Sequence, residues 1–356
     1  MSRSAFLIRV ALIGYGFAGR TFHAPLIRSV HGLSLELVAS RDAGKVRADL
    51  PDIEVTGDPL RVATDPRIGL VVIASPNHSH APLAQAALAA GKHVVVDKPF
   101  TLDLGEARDL VALAKRHGRV LSVFQNRRWD SDYLAVREAI DAGLIGDVVH
   151  FESRIERFRP EVRMRWREQA GPGSGLWWDL GPHLVDQALQ LFGLPDAVQA
   201  SFAAQRADAQ TDDWAHVVLG FGARRAILHA GMLAAGSVAR FIVHGTKGSA
   251  LKQRPDRQEA QLLSGLRPGA PGWGVDDDDL QLHDANGVHR RAAPPGDQAR
   301  YYALLRDAVL GTGDNPVPPA QALAVMAVLE AASASAAQGC ILAPALTEAE
   351  RQAFAL

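Results

Sequence analysis

The run Val10-Ala11-Leu12-Ile13 leads straight into Gly14-Tyr15-Gly16-Phe17-Ala18-Gly19, and this junction restricts the fold more than any other stretch of the chain. A short apolar run followed at once by G-x-G-x-x-G reads as a buried strand turning into a helix around a dinucleotide phosphate. Gly14 permits the tight turn, Gly16 lets the backbone approach a pyrophosphate, and Gly19 lets helix and strand pack closely. The helix start then offers free N–H groups to the phosphates. Gly14, Gly16, Phe17 and Gly19 are therefore candidate cofactor contacts.

The rhythm of the chain supports this reading. Residues 1–125 alternate short apolar runs, at Ile8–Ile13, Leu35–Ala39, Glu54-Val55, Leu70–Ala74, Val94–Val96 and Val120–Val123, with helical patterns. That alternation implies a parallel sheet. Asp103, with Glu106 three positions on, predicts a helix start, and His117-Gly118 its end. From residue 126 the pattern changes. Strands are expected at Val148–Arg157, Val198–Gln205, Ala215–Phe221, Arg225–Leu233 and Arg240–Gly245. Helices are expected at Ser131–Ala142, Leu180–Phe192, Tyr301–Leu310 and Pro319–Gln338, and loops with short edge pieces at Gly265–Pro295. The predicted class is α/β: an N-terminal Rossmann dinucleotide-binding domain (1–125) and a C-terminal α+β domain (126–356) with a large, mainly antiparallel open sheet.

The 356 residues exceed what one core usually supports. A net charge of −1 gives no electrostatic case for nucleic acid or an acidic membrane. The single cysteine, Cys340, excludes a disulfide framework and is expected as a small residue buried in a helical tail. No apolar run is expected to span a bilayer, and Phe6–Ile13 reads as a first strand rather than a signal peptide, which implies a cytoplasmic protein. The run Asp276–Asp279 lacks a calcium-loop spacing and reads as a solvated loop or strand edge.

Several residues carry chemistry at positions where open α/β sheets bind ligands, the carboxyl ends of strands. Asp97-Lys98-Pro99 follows the run His93–Val96 and places a cation in that crevice. Ser75, Asn77 and His80 follow Leu70–Ala74 and suit the ribose or diphosphate; His78 and His80 lack a third neighbour for a metal site. Ser40 and Arg41 end the second strand where NAD-selective sites carry an acid, about 20 residues past the glycines. A hydroxyl and a guanidinium suit a 2′-phosphate, so NADP is preferred over NAD, with Asp42 facing away. Farther on, Asp179 and His183 are four apart and share a helical face. Because Pro182 is expected in a first turn, the helix start falls close to His183, whose dipole keeps the ring a neutral base.

With these motifs the sequence resembles the Gfo/Idh/MocA oxidoreductases over essentially its whole length. The glycine fingerprint, Lys98-Pro99 and the Asp-x-x-x-His pair Asp179/His183 carry the resemblance; Asp97 stands where the commoner form has Glu. Asn126-Arg127-Arg128-Trp129-Asp130, Arg157–Val162 and Arg165-Trp166-Arg167-Glu168 are similar to the NADP-dependent scyllo-inositol dehydrogenase branch. The resemblance implies catalytic roles for Lys98 and His183 with Asp179 beside them. It implies cofactor contacts that include Asp97, Lys98, Asn126, Trp166 and Arg167, and substrate contacts at Lys98, Arg127, Trp129, Arg157, Asp179 and His183, with no metal. It also implies hydride transfer with a cyclic polyol or sugar. Alternatives are an aldose or keto-sugar substrate, a cofactor-sensing regulator on the same fold, and a glycosidase that retains its nicotinamide. The uncovered sheet face predicts a homodimer or homotetramer.

Overall fold

Strand β1 (Ile8–Ile13) forms over the expected residues, because the apolar run Val10–Ile13 can be buried on both faces of a parallel sheet. The computed structural model describes residues 7–236 and 238–354 and separates into two units. The first contains residues up to Asn126 together with Gln258–Trp273 and Asp297–Ala322. The second contains Arg127–Arg257, Gly274–Gly296 and the chain from Leu323 on. The chain therefore returns to its first unit twice.

In the first unit, α1 (Ala24–Ser29), β2 (Leu33–Ala39), α2 (Ala43–Asp49), β3 (Glu54–Thr56), α3 (Pro59–Thr64), β4 (Leu70–Ile73), α4 (His80–Ala89), β5 (His93–Val96), α5 (Leu104–His117) and β6 (Leu121–Val123) follow β1. The sheet order is β3-β2-β1-β4-β5-β6, all parallel. The order reverses between β1 and β4, and such a switch point opens a ligand crevice at the strands' carboxyl ends. Leu70–Ile73 and Val94–Val96 are wholly buried. The start of α5 is capped as expected, with Asp103 accepting the Glu106 N–H at 2.8 Å. The Glu106 carboxylate reaches back to the N–H of Leu102 rather than that of Asp103. Gly118 ends the helix in the left-handed conformation. The late helix Ala299–Val309 joins this unit through Tyr301, whose hydroxyl donates to Ser122 Oγ at 2.9 Å.

In the second unit, α6 (Ser131–Asp141), β7 (Val148–Glu156), α7 (Leu176–Phe192), β8 (Ala197–Ala203), β9 (Trp214–Phe221), β10 (Arg224–Gly231), β11 (Phe241–Gly245), β12 (Ser249–Lys252), β13 (Leu280–Asp284) and β14 (Gly287–Arg291) succeed one another. They form an eight-stranded sheet in the order β14-β13-β12-β11-β7-β10-β9-β8. It is antiparallel except where β7 pairs parallel with β10. Helix α7 packs on β7, β9 and β10. The expected edge pieces are β13 and β14; β12, four residues long, has too little pattern to be read from sequence.

Four expectations are corrected here. Asp276–Asp279 is not simply solvated: Asp276 and Asp278 lie 3.0 and 2.6 Å from the fully buried Lys252 ammonium, which needs paired charge in the interior. Cys340 is exposed and lies beyond the helix that ends at Gln338. That helix, Pro319–Gln338, is long and apolar enough to cross a membrane by length and composition. However, 61% of its apolar window is buried inside the protein, and Leu329 accepts a hydrogen bond from the Trp177 indole. Finally, α7 begins at Leu176, four residues earlier than expected, and Pro182 lies inside it. The helix survives because a proline removes only the one N–H that would have reached the Trp178 carbonyl.

Candidate active site

In the first unit the three glycines of the fingerprint have distinct physical roles. Gly14 has φ +100°, and a β-carbon there would sit 2.5 Å from the Ala74 carbonyl oxygen, where β1 and β4 diverge. A β-carbon on Gly19 would sit 2.1 Å from the Gly14 carbonyl oxygen, so helix and turn touch through bare backbone. At Gly16 nothing lies within 4 Å of that position. This open cradle is set at the start of a helical run that begins at residue 17 and passes through a π-helical stretch, Gly19–His23, into α1. Such a cradle fits a dinucleotide pyrophosphate. Phe17, 56% exposed, flanks it.

At the end of β2, Ser40 Oγ accepts the Asp42 N–H at 3.2 Å, and the Asp42 carboxylate caps α2 by accepting the Lys45 N–H at 2.9 Å. One oxygen of the Asp42 carboxylate is thus engaged in a helix cap. Arg41 is exposed.

The ends of β4 and β5 carry the other expected residues. Ser75 Oγ is 2.6 Å from Ser79 Oγ, Asn77 is buried, and His78 is exposed. Asp97 is buried and accepts the backbone N–H of Lys98 at 2.8 Å. Burial alone would raise its pKa, but His23, Lys98 and His80 outweigh this and hold the carboxyl below its usual range. Lys98 is half-buried, and a cis peptide joins it to Pro99. His80 is buried, with Nδ1 2.9 Å from the Pro99 carbonyl and Nε2 2.9 Å from the Ser75 carbonyl. A neutral ring carries one N–H, so it donates to one of these two carbonyls. Burial keeps its pKa below the ordinary value. Asn126, the last residue of this run of the first unit, is buried.

In the second unit Asp179 lies in the first turn of α7 and His183, 5% exposed, is the eighth residue of the helix. His183 therefore sits beyond the first turn, where the helix dipole has faded, which corrects the argument for a dipole-held neutral ring. Arg167 Nε lies 3.4 Å from Asp179 Oδ1, and the Arg167 guanidinium covers the Trp166 ring at 4.4 Å. Arg127 pairs with the fully buried Asp130 at 2.9 Å. Trp129 and Arg157 are half-buried, and Arg157 pairs through its backbone with Gly231 and Ala234.

Sequence reasoning missed the groups that hold this half in place. Asp212 caps α7 from a distant loop, its carbonyl accepting the Leu176 N–H at 2.9 Å and its carboxylate the Trp177 N–H at 2.7 Å. A β-carbon on Gly175 would collide with that carboxylate at 2.0 Å. Burial pushes the Asp212 carboxyl up despite these bonds. Buried Arg206 joins Glu168 at 3.2 Å and Asp213 at 2.8 Å, fixing the segment that bears Trp166 and Arg167. Arg128 makes a bidentate bond to Asp186, one turn past His183. Arg128 and Glu168 lay within motifs read from sequence; Asp212 and Arg206 carried no local signal. Among the described residues no group of histidine, cysteine and acidic side chains could hold a metal ion.

Residues 8–125 match the oxidoreductase family model for an NAD-binding Rossmann fold, and residues 137–342 match the same Gfo/Idh/MocA family's C-terminal alpha/beta domain. The chain is 52% identical over 327 residues to the uncharacterized oxidoreductase YdgJ of Escherichia coli K12, covering 91% of this chain and 94% of that one. It is 34% identical over 339 residues to the scyllo-inositol 2-dehydrogenase (NADP(+)) IolW of Bacillus subtilis, covering 94% and 95%. A crystal structure from Klebsiella pneumoniae superposes with a TM-score of 0.93 at 57% identity, covering 98% of each chain.

Proposed function

We propose that this chain, which belongs to the Gfo/Idh/MocA oxidoreductase family, oxidises a secondary alcohol of a cyclic polyol, with scyllo-inositol and NADP as the first substrate and cofactor to test. The observation that carries the reading is Lys98. It is a half-buried cation on the loop after β5, in the same parallel sheet whose switch point bears the open Gly16 cradle. The 34% identity to an NADP-dependent scyllo-inositol dehydrogenase supports the substrate and cofactor choice, as does exposed Arg41 beside an acid engaged in capping.

When bound, the nicotinamide supplies a hydride acceptor for oxidation and a hydride donor for the reverse reduction. The residues of the chain handle the proton and the charge. His183 takes the hydroxyl proton as general base, so that the carbon releases hydride from an incipient alkoxide rather than from a neutral alcohol. Lys98 donates a hydrogen bond to that oxygen and stabilises its developing negative charge. Asp179, held by Arg167, accepts a hydrogen bond from a neighbouring hydroxyl. Gly14, Gly16, Phe17, Gly19, Ser40, Arg41, Ser75 and Asn77 bind the dinucleotide, with Asn126, Trp166 and Arg167 nearer its reactive end. Arg127, Trp129 and Arg157 line the polyol. A site built around hydroxyls discriminates strongly, because a missing hydroxyl leaves polar groups unpaired.

The same proposal includes a homodimer or homotetramer through the sheet face that bears half-exposed Trp214, His216 and His229. A monomeric mass by light scattering across micromolar concentrations contradicts that part. A turnover screen of inositols and aldoses, each with NADP and NAD, tests the function. Reduction of NADP with an inositol supports it; turnover with aldoses alone moves the substrate to the sugar class, and no turnover with any polyol or sugar overturns it.

A further inference from the structure

Lys98 sits between two buried histidines that the reaction itself does not use. On one side, His80 spans the Ser75 and Pro99 carbonyls with its two ring nitrogens at 2.9 Å each. Carbonyl oxygens only accept, and a neutral ring carries a single N–H, which binds the Pro99 carbonyl when it sits on Nδ1. On the other side, His23 is fully buried, with Nδ1 2.5 Å from the Tyr302 hydroxyl and Nε2 3.7 Å from Asp97 Oδ2. The other Asp97 oxygen accepts the Lys98 N–H. Phe124 packs against the His23 ring at 4.2 Å and prevents it from swinging aside. The backbone N–H of Lys98 and the carbonyl of the residue after it are therefore both tied down, one through Asp97 and one through His80.

We propose that His80 and His23 are positioning residues for Lys98: His80 ties the loop after β5 to the loop after β4, and His23, braced by Tyr302, steadies the Asp97 carboxylate that holds the Lys98 amide. The inference rests on the role given to Lys98 above. It accounts for two features that the reaction leaves unexplained: a histidine buried between two backbone carbonyls, and a second one facing the acid that precedes the lysine. A long side chain such as lysine loses most of its placement when its own backbone shifts, and misplacement of about 1 Å is enough to cost roughly 100-fold in rate.

The test combines a double-mutant cycle with amide exchange. His80→Phe and His23→Gln are each made in the wild type and in Lys98→Ala, with His80→Gln as a second variant that keeps a donor. In the ligand-free protein, hydrogen exchange of the peptide covering residues 94–101 should speed up in His80→Phe, while that of β1 is unchanged. In the wild-type background, kcat should fall about tenfold or more while NADPH affinity, read by fluorescence, changes less than about threefold; in Lys98→Ala the same substitutions should add almost nothing, because groups acting as one unit are non-additive. His80→Gln should recover part of the loss. Equal fold losses in both backgrounds overturn the proposal and leave the histidines as core packing only. Should His80→Phe fail to fold, unchanged exchange and undiminished kcat in both His80→Gln and His23→Gln overturn it equally. Full activity in Lys98→Ala alone instead overturns the role of Lys98, which is a separate outcome.

Discussion

Arg167 Nε lies 3.4 Å from Asp179 Oδ1, and its guanidinium is stacked on Trp166. The planar guanidinium can do both at once, whereas a lysine ammonium cannot stack in this way. Arg167→Lys should therefore loosen the placement of Asp179 and raise the polyol KM about tenfold while kcat changes less, because the lost interaction is made in ground and transition states alike. Steady-state kinetics with varied polyol and varied NADP check this. A rise in the NADP KM alone would assign Arg167 to the cofactor instead.

At the end of β2 the Asp42 carboxylate accepts the Lys45 N–H and Arg41 is exposed. Arg41→Ala should weaken NADP binding while leaving NAD nearly unchanged, by about 10-fold or more for the loss of a charge-assisted phosphate contact. Titration of both cofactors by fluorescence decides it, and equal losses for the two would show that Arg41 does not read the 2′-phosphate.

His93 opens β5, and its Nδ1 accepts the Val120 N–H at 3.0 Å, a bond that needs an unprotonated nitrogen. Burial, helped by the charge of Arg119, lowers its pKa to about 4. In the unfolded chain the ring titrates near about 6.5. Between these values the unfolded chain takes up a proton that the folded one refuses. This stability is therefore complete above about pH 6.5 and is lost as pH falls toward about 4. His93→Asn keeps an acceptor at the Nδ1 position and removes the titration. Its melting temperature should fall less than that of the wild type between pH 7 and pH 5. Parallel curves would contradict the assignment.

The first sheet was legible because short, mostly apolar runs such as Leu70–Ile73 alternate with helical patterns, and β1 fell on the expected residues. Helix α7 was misjudged because proline was taken as a first-turn marker, whereas burial of Trp177 and Leu180 and a remote cap from Asp212 extend the helix past Pro182. The acidic run misled in the same way, since a charge cluster reads as solvated until its buried lysine, Lys252, is seen. The residue types proposed for chemistry, Lys98, Asp179 and His183, stand out in the sequence. Their supports, His23, Tyr302, Arg206 and Asp212, come from distant parts of the chain, and no local spacing marks them.

Turnover of scyllo-inositol with NADP by the wild type, Lys98→Ala, His183→Ala and the double variant tests the central claim most directly. Each single loss should lower kcat about 10²–10⁴-fold with NADPH affinity nearly unchanged, and the double variant should lose less than the product of the two. Wild-type turnover in His183→Ala on the best polyol would contradict its role as the base.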